Sequence, residues 1–423
     1  MKKIFEKSKR LFQRAYKRFW ELKRLQAKQS KQAKKLKAKE QISVVFMAMT
    51  ISMWKYQKVY ELFKADSRFK TVIVLSPCMG YSKEQQMRDV KNMRTFFNNL
   101  KIEYIDWDFE KDSPPFDVRA KINPDILFYQ QPYTGCHIAA HDFSNFEDKL
   151  LCHSPYAYVL TPNPVIYNRR FHNIAWKLFY QNKYTKAAAK KLAWNGGQNV
   201  RVVGYTSADE YFHSAKQDVW KRGNFRKRVI WAPHFTLKND GSPFSRSNFL
   251  WMADLMKRIS ENYKEIIQFA FKPHPRLRTE LYNHSDWGKG RTDEYYNYWA
   301  NSANTQIEEG DFINLFYYSD AMIHDSGSFS ADYLYFNKPV MYISQDIAQT
   351  KRNVDTFGKM VYDVHYIGKI EGEVYSFIEN VVLQEKDRLK PQRDAFFEHY
   401  LLPGKEHSAS EAIYREVLSS IGF

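Results

Sequence analysis

From Ile42 onward, short apolar runs alternate with amphipathic stretches along most of the chain. Ile42 to Ser52 reads as a strand, and Trp54 to Lys64 spaces its apolar residues as a helix does. Lys70 to Leu75 predicts a second strand, Lys83 to Leu100 a helix, and Ile102 to Trp107 and Asp125 to Gln130 two further short strands. Tyr156 to Leu160 and Asn199 to Gly204 continue the series, with a helix between about Ile174 and Leu192. The pattern restarts after the basic patch Lys221 to Arg228. There Val229 to Ala232 and Ile266 to Lys272 read as strands around the helix Asn248 to Asn262, and the polar, aromatic stretch 283–307 is helical in its second half. A strand (Ala321 to Ile323), a polar turn, a helix from near Ser328 and a strand (Val340 to Ile343) follow, before terminal helices at Glu371 to Leu383, Pro391 to Tyr400 and Ser408 to Ser420. Strands alternating with helices predict parallel sheets covered on both faces, an α/β fold. The restart predicts two such units that divide near Gly223 and face one another across a cleft.

The length of 423 residues fits two or three domains, and a 44% hydrophobic share with 17% aromatics excludes global disorder. Three cysteines (Cys78, Cys136, Cys152) with no CxxC suit free thiols, not a disulfide scaffold. The net charge of +18 is uneven: Met1 to Glu40 carries 16 Lys and Arg against three Glu, or +13, which leaves +5 for the rest. Phe5, Phe12, Tyr16 and Phe19 recur at helical spacing among Lys7, Arg10, Arg14, Lys17 and Arg18. That pattern describes a basic amphipathic helix for an anionic membrane surface. A nucleic-acid arm and a solvated helix are the other readings, and no nucleic-acid-binding module appears in the body. Beyond Gln26 the stripe fades into a Lys/Gln/Ala spacer. No run reaches a membrane-span length, and no signal-peptide pattern is present.

Three strands of the second half end in residues suited to phosphate or proton chemistry. Val229 to Ala232 runs into Pro233-His234-Phe235-Thr236. The next strand ends in Lys272-Pro273-His274-Pro275-Arg276, whose two cations and imidazole alternate and would share a face in an extended segment. The third leads into Asp325-Ser326-Gly327-Ser328, where small residues at a helix start leave backbone N–H groups open to a phosphate, with Asp332 in reach of a sugar hydroxyl. A serine cluster capping an ordinary crossover helix is the plainer reading of that turn. In open α/β sheets ligands lie beyond the carboxyl ends of the strands, so all three ends fall on one rim. Asp106-Trp107-Asp108 mimics a metal-binding DxD but lacks supporting acids, and Cys136-His137 with His141-Asp142 lacks a further metal ligand at recognisable spacing.

Together these segments resemble the CDP-glycerol glycerophosphotransferase family of teichoic-acid and capsule polymer synthesis. The resemblance is carried by Pro273-His274-Pro275, by Ser319 to Tyr333, and by Lys338-Pro339-Val340-Met341-Tyr342. Ile230 to His234, Val203-Gly204-Tyr205 and Ser52-Met53-Trp54-Lys55-Tyr56 sit where similar pieces occur in that family. It implies a GT-B-like architecture, with a Rossmann-like acceptor domain over 41–222 and a Rossmann-like nucleotide-donor domain over 223–423, behind the basic amphipathic helix read over residues 1–40. It implies transfer of glycerol phosphate, or a related polyol phosphate, from a CDP-linked donor to a lipid-linked or surface glycan at the cytoplasmic face of the membrane, with no metal or other cofactor. His274 would act on the donor phosphates. Lys272, Arg276, His234, Thr236, Asp325, Ser326, Gly327 and Ser328 would bind the substrate, and Asp332 the ribose. The family's His-Gly-Thr base motif is replaced by Phe128-Tyr-Gln-Gln-Pro-Tyr-Thr-Gly135, so the acceptor-side base falls to a nearby histidine, with His137 taken ahead of His141 and His153. A GT-B glycosyltransferase using a nucleotide sugar, and an adaptor with a degenerate nucleotide fold, are the alternatives.

Overall fold

The computed structural model describes residues 20–423 except 108, 110, 112, 134, 214, 215, 222, 224, 238–246, 311 and 403–407. The aromatic and basic stripe between Phe5 and Phe19 therefore lies outside the described residues. The chain forms two compact units: 1–157 with 162–209 and 403–423, and 158–161 with 210–402.

The first unit is built on seven parallel strands: β1 (Ile42–Ala48), β2 (Phe69–Leu75), β3 (Tyr104–Ile105), β4 (Ile126–Tyr129), β5 (Leu150–His153), β6 (Lys177–Tyr180) and β7 (Val200–Val202), in the order β3-β2-β1-β4-β5-β6-β7. Every residue of β4, β5 and β6 is buried, as expected of strands covered by helices on both faces. Two expectations fail here. Tyr156 to Leu160 is not a strand: Ser154 and Pro155 follow β5, and the proline cannot donate to a sheet ladder. The helix expected from Ile174 instead begins at Lys183. Trp176 to Tyr180 is an aromatic, apolar run that adds β6 to the sheet, and the Asn182 side chain then caps the helix by accepting the N–H groups of Tyr184 and Thr185.

Residues 20–36 are helical, and the segment read as a spacer is packed. Ala33 and Leu36 enter the core of the first unit, Gln29 Nε2 donates to the Ile174 carbonyl at 2.7 Å, and Lys39 pairs with Asp125 at 2.7 Å. Its cations Lys23, Arg24, Lys28, Lys31, Lys34 and Lys35 face outward. The helix Ala409–Ile421 also belongs to this unit and not to the second half. Ile413, Val417 and Ile421 join its core, and the Asp209 carboxylate accepts the N–H groups of Ala409 and Ser410.

The second unit holds six parallel strands: β8 (Lys227–Ala232), β9 (Ile267–Phe271), β10 (Thr305–Ile307), β11 (Ala321–His324), β12 (Val340–Ile343) and β13 (Tyr366–Gly368), ordered β10-β9-β8-β11-β12-β13. Counted from its own first strand this is the 3-2-1-4-5-6 order of a doubly wound nucleotide-binding sheet, and the first six strands of the other unit repeat it. The order reverses between β8 and β11, and between β1 and β4, so each sheet has its ligand crevice at those carboxyl ends.

Candidate active site

The β8, β9 and β11 ends adjoin at the reversal point of the second sheet. Adjacent strands lie about 4.8 Å apart, so the outer two, β9 and β11, stand roughly 10 Å from each other across β8. Two bonds hold the three ends together. His274 N–H donates to the Pro233 carbonyl at 3.1 Å, and His234 N–H donates to Asp325 Oδ1 at 2.6 Å. The His234 and His274 rings are 5.0 Å apart, and Phe235 packs against both, 4.5 Å from His234 and 4.4 Å from His274. The Arg276 guanidinium lies 4.2 Å from the Phe235 ring and also pairs with Glu280.

Arg276 N–H points at His274 Nδ1 from 3.1 Å. Nδ1 is thus the acceptor nitrogen, and Nε2 carries the hydrogen of a neutral ring. Burial, with His234, Arg276 and Lys272 nearby, lowers the His274 pKa to about 3. His234 is lowered to about 4, by burial first and then by Arg276, and its Nδ1 sits 3.0 Å from Thr236 Oγ1. Both rings are neutral at pH 7 without a ligand, so His274 offers an N–H donor there and not a ready proton.

Not every expected residue joins this group. Lys272 is buried, and its ammonium donates to the carbonyls of Glu308 (3.1 Å) and Gly310 (3.0 Å) in the loop after β10. Alternation along an extended segment does not apply at Arg276, which caps the helix Leu277–Tyr282 in helical geometry and reaches His274 by way of Phe235. Asp325 faces inward: its carboxylate accepts the backbone N–H groups of His234 and Asn248, and burial raises its pKa to about 6. It ties the β8 turn and the start of the helix Phe249–Asn262 to the β11 turn. His324, fully buried, donates from Nδ1 to the Ser326 carbonyl at 3.1 Å and fixes the same turn. Ser326 stands at the N-cap position of the short helix Gly327–Asp332 without a side-chain capping bond, its hydroxyl 3.2 Å from that of Ser328. Gly327 is exposed, and a Cβ built on it would meet no atom within 4 Å, so the approach to its backbone is open. Asp332 is buried at the far end of that helix, away from the turn where a sugar hydroxyl was expected to reach it. Lys338 is likewise structural: its ammonium caps the helix Ile313–Tyr318 through the carbonyls of Phe316, Tyr317 and Ser319.

In the first unit, Gln130 follows β4 and holds the residues after β1. Its Oε1 accepts the N–H groups of Met49 and Thr50, and its Nε2 donates to the Thr50 carbonyl. His137, 4% exposed, is closed on both sides: Nε2 bonds the Gln131 carbonyl at 2.9 Å and Nδ1 bonds the Ser76 hydroxyl at 2.8 Å. Burial lowers its pKa to about 4. It is a fixture of the loop with no nitrogen left for a substrate, a correction to the sequence reading. His141 is fully buried and bonds the Phe116 carbonyl, while His153 bonds the Tyr129 carbonyl at 2.8 Å. Asp106 pairs with Arg94, Asp108 lies outside the described residues, and among the described residues no three His, Cys, Asp or Glu are grouped to hold a metal ion.

Sequence reasoning missed Phe235 and Asn248. Phe235 sat in plain view between two selected residues, but an aromatic after Pro-His gives no sign that it will carry an arginine. Asn248 acts through its backbone N–H, which no side-chain pattern reveals.

Two doubly wound sheets, the second with a polar rim at its reversal point, define a GT-B-like α/β protein. Within that class, the chain belongs to the CDP-glycerol:poly(glycerophosphate) glycerophosphotransferase family, whose model matches residues 165–419. A curated relative, the teichoic acid poly(ribitol-phosphate) polymerase of Bacillus spizizenii, is 24% identical over 237 residues, covering 52% of this chain and 34% of that protein. The chain thus spans about a third of the relative it matches. Among solved structures, the wall teichoic acid polymerase TagF is similar with a TM-score of 0.60 at 12% identity over 93% of each chain. A putative UDP-N-acetylglucosamine 2-epimerase from Listeria monocytogenes has a TM-score of 0.58 at 15% identity, covering 90% of this chain and 97% of its own. At these identities the structural likenesses speak for the fold.

Proposed function

We propose that the chain transfers glycerol phosphate, or a related polyol phosphate, from a CDP-linked donor to a hydroxyl of a lipid-linked or surface glycan. The observation that carries this is the His234–Phe235–His274–Arg276 group beside the open Gly327–Ser328 backbone, at the reversal point of the second sheet. The family match, which covers residues 210–402 of this unit, supports the choice of a CDP donor.

In this reading the donor pyrophosphate lies along the rim. His274 gives it an N–H from Nε2, Arg276 supplies a permanent charge, and the backbone after Ser326 supplies N–H groups. The acceptor oxygen attacks the β-phosphorus in line and CMP departs. A phosphate monoester has its second pKa near 6, so CMP leaves without needing a proton, and a neutral His274 suffices. Catalysis is then positioning and charge neutralisation, as in other phosphoryl transfers. The outward cations on residues 20–36 support a peripheral position on an anionic membrane, at its cytoplasmic face. No helix among the described residues is long and apolar enough to cross a membrane.

The test is CMP release from CDP-glycerol by the full chain, with UMP or UDP release from nucleotide sugars measured alongside. His274→Ala is expected to lower CDP-glycerol turnover about 100-fold, the scale of one lost donor to developing charge. Equal turnover by variant and wild type would remove His274 from the mechanism, and turnover of nucleotide sugars alone would replace the donor.

A further inference from the structure

Two of the three cysteines meet at the carboxyl edge of the first sheet. Cys78 lies in the loop after β2 and Cys136 in the loop after β4, and β1 alone separates those strands. Two bonds tie the loops across the end of β1. Met79 N–H donates to the Cys136 carbonyl at 2.9 Å, and the Ser76 hydroxyl lies 2.8 Å from His137 Nδ1. Residues 76 and 79 thus hold Cys78 against the 136–137 segment from both sides. The Cys136 thiol is the group that most strongly supports a charge on Cys78.

The two sulfurs are not equivalent. Cys136 holds the Cys78 thiol below its ordinary pKa, helped by the backbone N–H groups of Gly80 and Tyr81, against burial and the Asp89 carboxylate. The Cys136 thiol is pushed up, by Cys78 first and then by burial, and Arg169 opposes this only in part. A negative charge on the pair therefore resides on Cys78, the better nucleophile at neutral pH. Its sulfur lies behind an exposed glycine. Beyond its chain neighbours, a Cβ built on Gly80 would meet only Cys78 Sγ, at 3.7 Å, so no side chain at that position covers the sulfur. Cys136 is half-buried. Cys152 is the contrast: it is fully buried in β5, and burial pushes its thiol up.

We propose that Cys78 and Cys136 are a peroxide-sensitive dithiol that closes into a reversible disulfide. The Cys78 thiolate attacks one oxygen of hydrogen peroxide, the O–O bond breaks, and the departing oxygen takes a proton and leaves as water. The Cys136 sulfur then attacks the Cys78 sulfenic acid. The S–S bond forms, the S–O bond breaks, and the hydroxide leaves with the Cys136 proton as a second water. The two thiols give up two electrons and the peroxide takes them. A dithiol reductant reopens the bridge by exchange. When closed, it fastens the loops after β2 and β4 over the end of β1, where the strand order reverses and the crevice of this unit opens.

The experiment treats the reduced full chain with hydrogen peroxide at pH 7, then denatures it in an alkylating reagent and maps the peptides. Three free thiols are expected to fall to one, with Cys152 alkylated and a single peptide pair joining Cys78 to Cys136. Dithiothreitol is expected to return all three. Cys136→Ser is expected to leave Cys78 as a sulfenic acid that dimedone traps, and Cys78→Ser to slow oxidation of Cys136 about tenfold or more, as befits a thiol without thiolate character. Three thiols surviving in the wild type would overturn the assignment. So would a bridge that involves Cys152 or joins two chains, or equal oxidation of Cys136 in wild type and Cys78→Ser. Should either variant fail to fold, the wild-type peptide map decides alone.

Discussion

The substitution Asp325→Asn separates what this carboxylate does for the site from what it does for stability. In the native chain Asp325 accepts two buried backbone N–H groups, from His234 and Asn248. Burial nevertheless raises its pKa from 3.8 to about 6. At about 1.4 kcal/mol per unit, the ionised form is about 3 kcal/mol less favourable to folding than the protonated acid. Because the folded pKa lies above the unfolded one, this group favours folding most below pH 3.8 and gives that contribution up as the pH rises through about 6. An asparagine in its place removes that cost. The single carbonyl oxygen of the amide serves only one of the two N–H groups, and stranding the other costs about 1–3 kcal/mol. The two effects nearly cancel, so chemical denaturation at pH 7 is expected to place Asp325→Asn within about 2 kcal/mol of wild type. CDP affinity is expected to fall about tenfold or more, because the turn that carries His234 and packs on His274 loses its tie; tenfold corresponds to about 1.4 kcal/mol. Wild-type affinity should also weaken from pH 7 to pH 5 as Asp325 takes up a proton. His234 and His274 titrate at about 4 and 3, below this window, whereas the terminal phosphate of CDP takes up a proton near pH 6 and weakens binding to wild type and variant alike. The variant lacks only the part of that limb that Asp325 contributes. Calorimetric titration with CDP over pH 5–8 decides it: wild-type affinity in the variant, or a limb as deep as that of wild type, would refute the role given to the carboxylate.

Two further outcomes concern the packing and the surface. Removing residues 408–423 strips Ile413, Val417 and Ile421 from the first core. At about 1.5–3 kcal/mol for each buried side chain this is a loss of roughly 5–9 kcal/mol, enough to unfold a domain of ordinary stability. Limited proteolysis should then degrade 42–202 first, and equal protection of both units would contradict the packing described. Reversing Lys28, Lys31 and Lys35 to Glu should abolish co-sedimentation with vesicles rich in anionic lipid at low salt, whereas unchanged binding would remove the helix 20–36 from membrane contact.

The parallel sheets were legible because their strands are buried on both faces and therefore appear as short, continuous apolar runs, as in Ile126–Tyr129 and Val340–Ile343. Trp176 to Tyr180 was misread because a short apolar run has no period of its own, and the helical stretch behind it absorbed it. The home of the Ala409–Ile421 helix was hidden for another reason. Its stripe announces a buried face, but only tertiary structure says which core receives it. At the site, His234, His274 and Arg276 were legible from proline-bounded strand ends. Lys272 and His137 were not, because a side chain's usefulness depends on which hydrogen bonds have already claimed it, and those come from loops distant in sequence.

The return of the Ala409–Ile421 helix to the first sheet also has a consequence for biosynthesis. Domains generally fold in the order in which they leave the ribosome. Here the strands that emerge first must wait, with Phe63 and Phe69 short of their partner Tyr414, until the whole second unit has been translated. Nascent chains stalled before residue 409 would present an unsealed apolar groove to chaperones, and the unit made first would be the last to close.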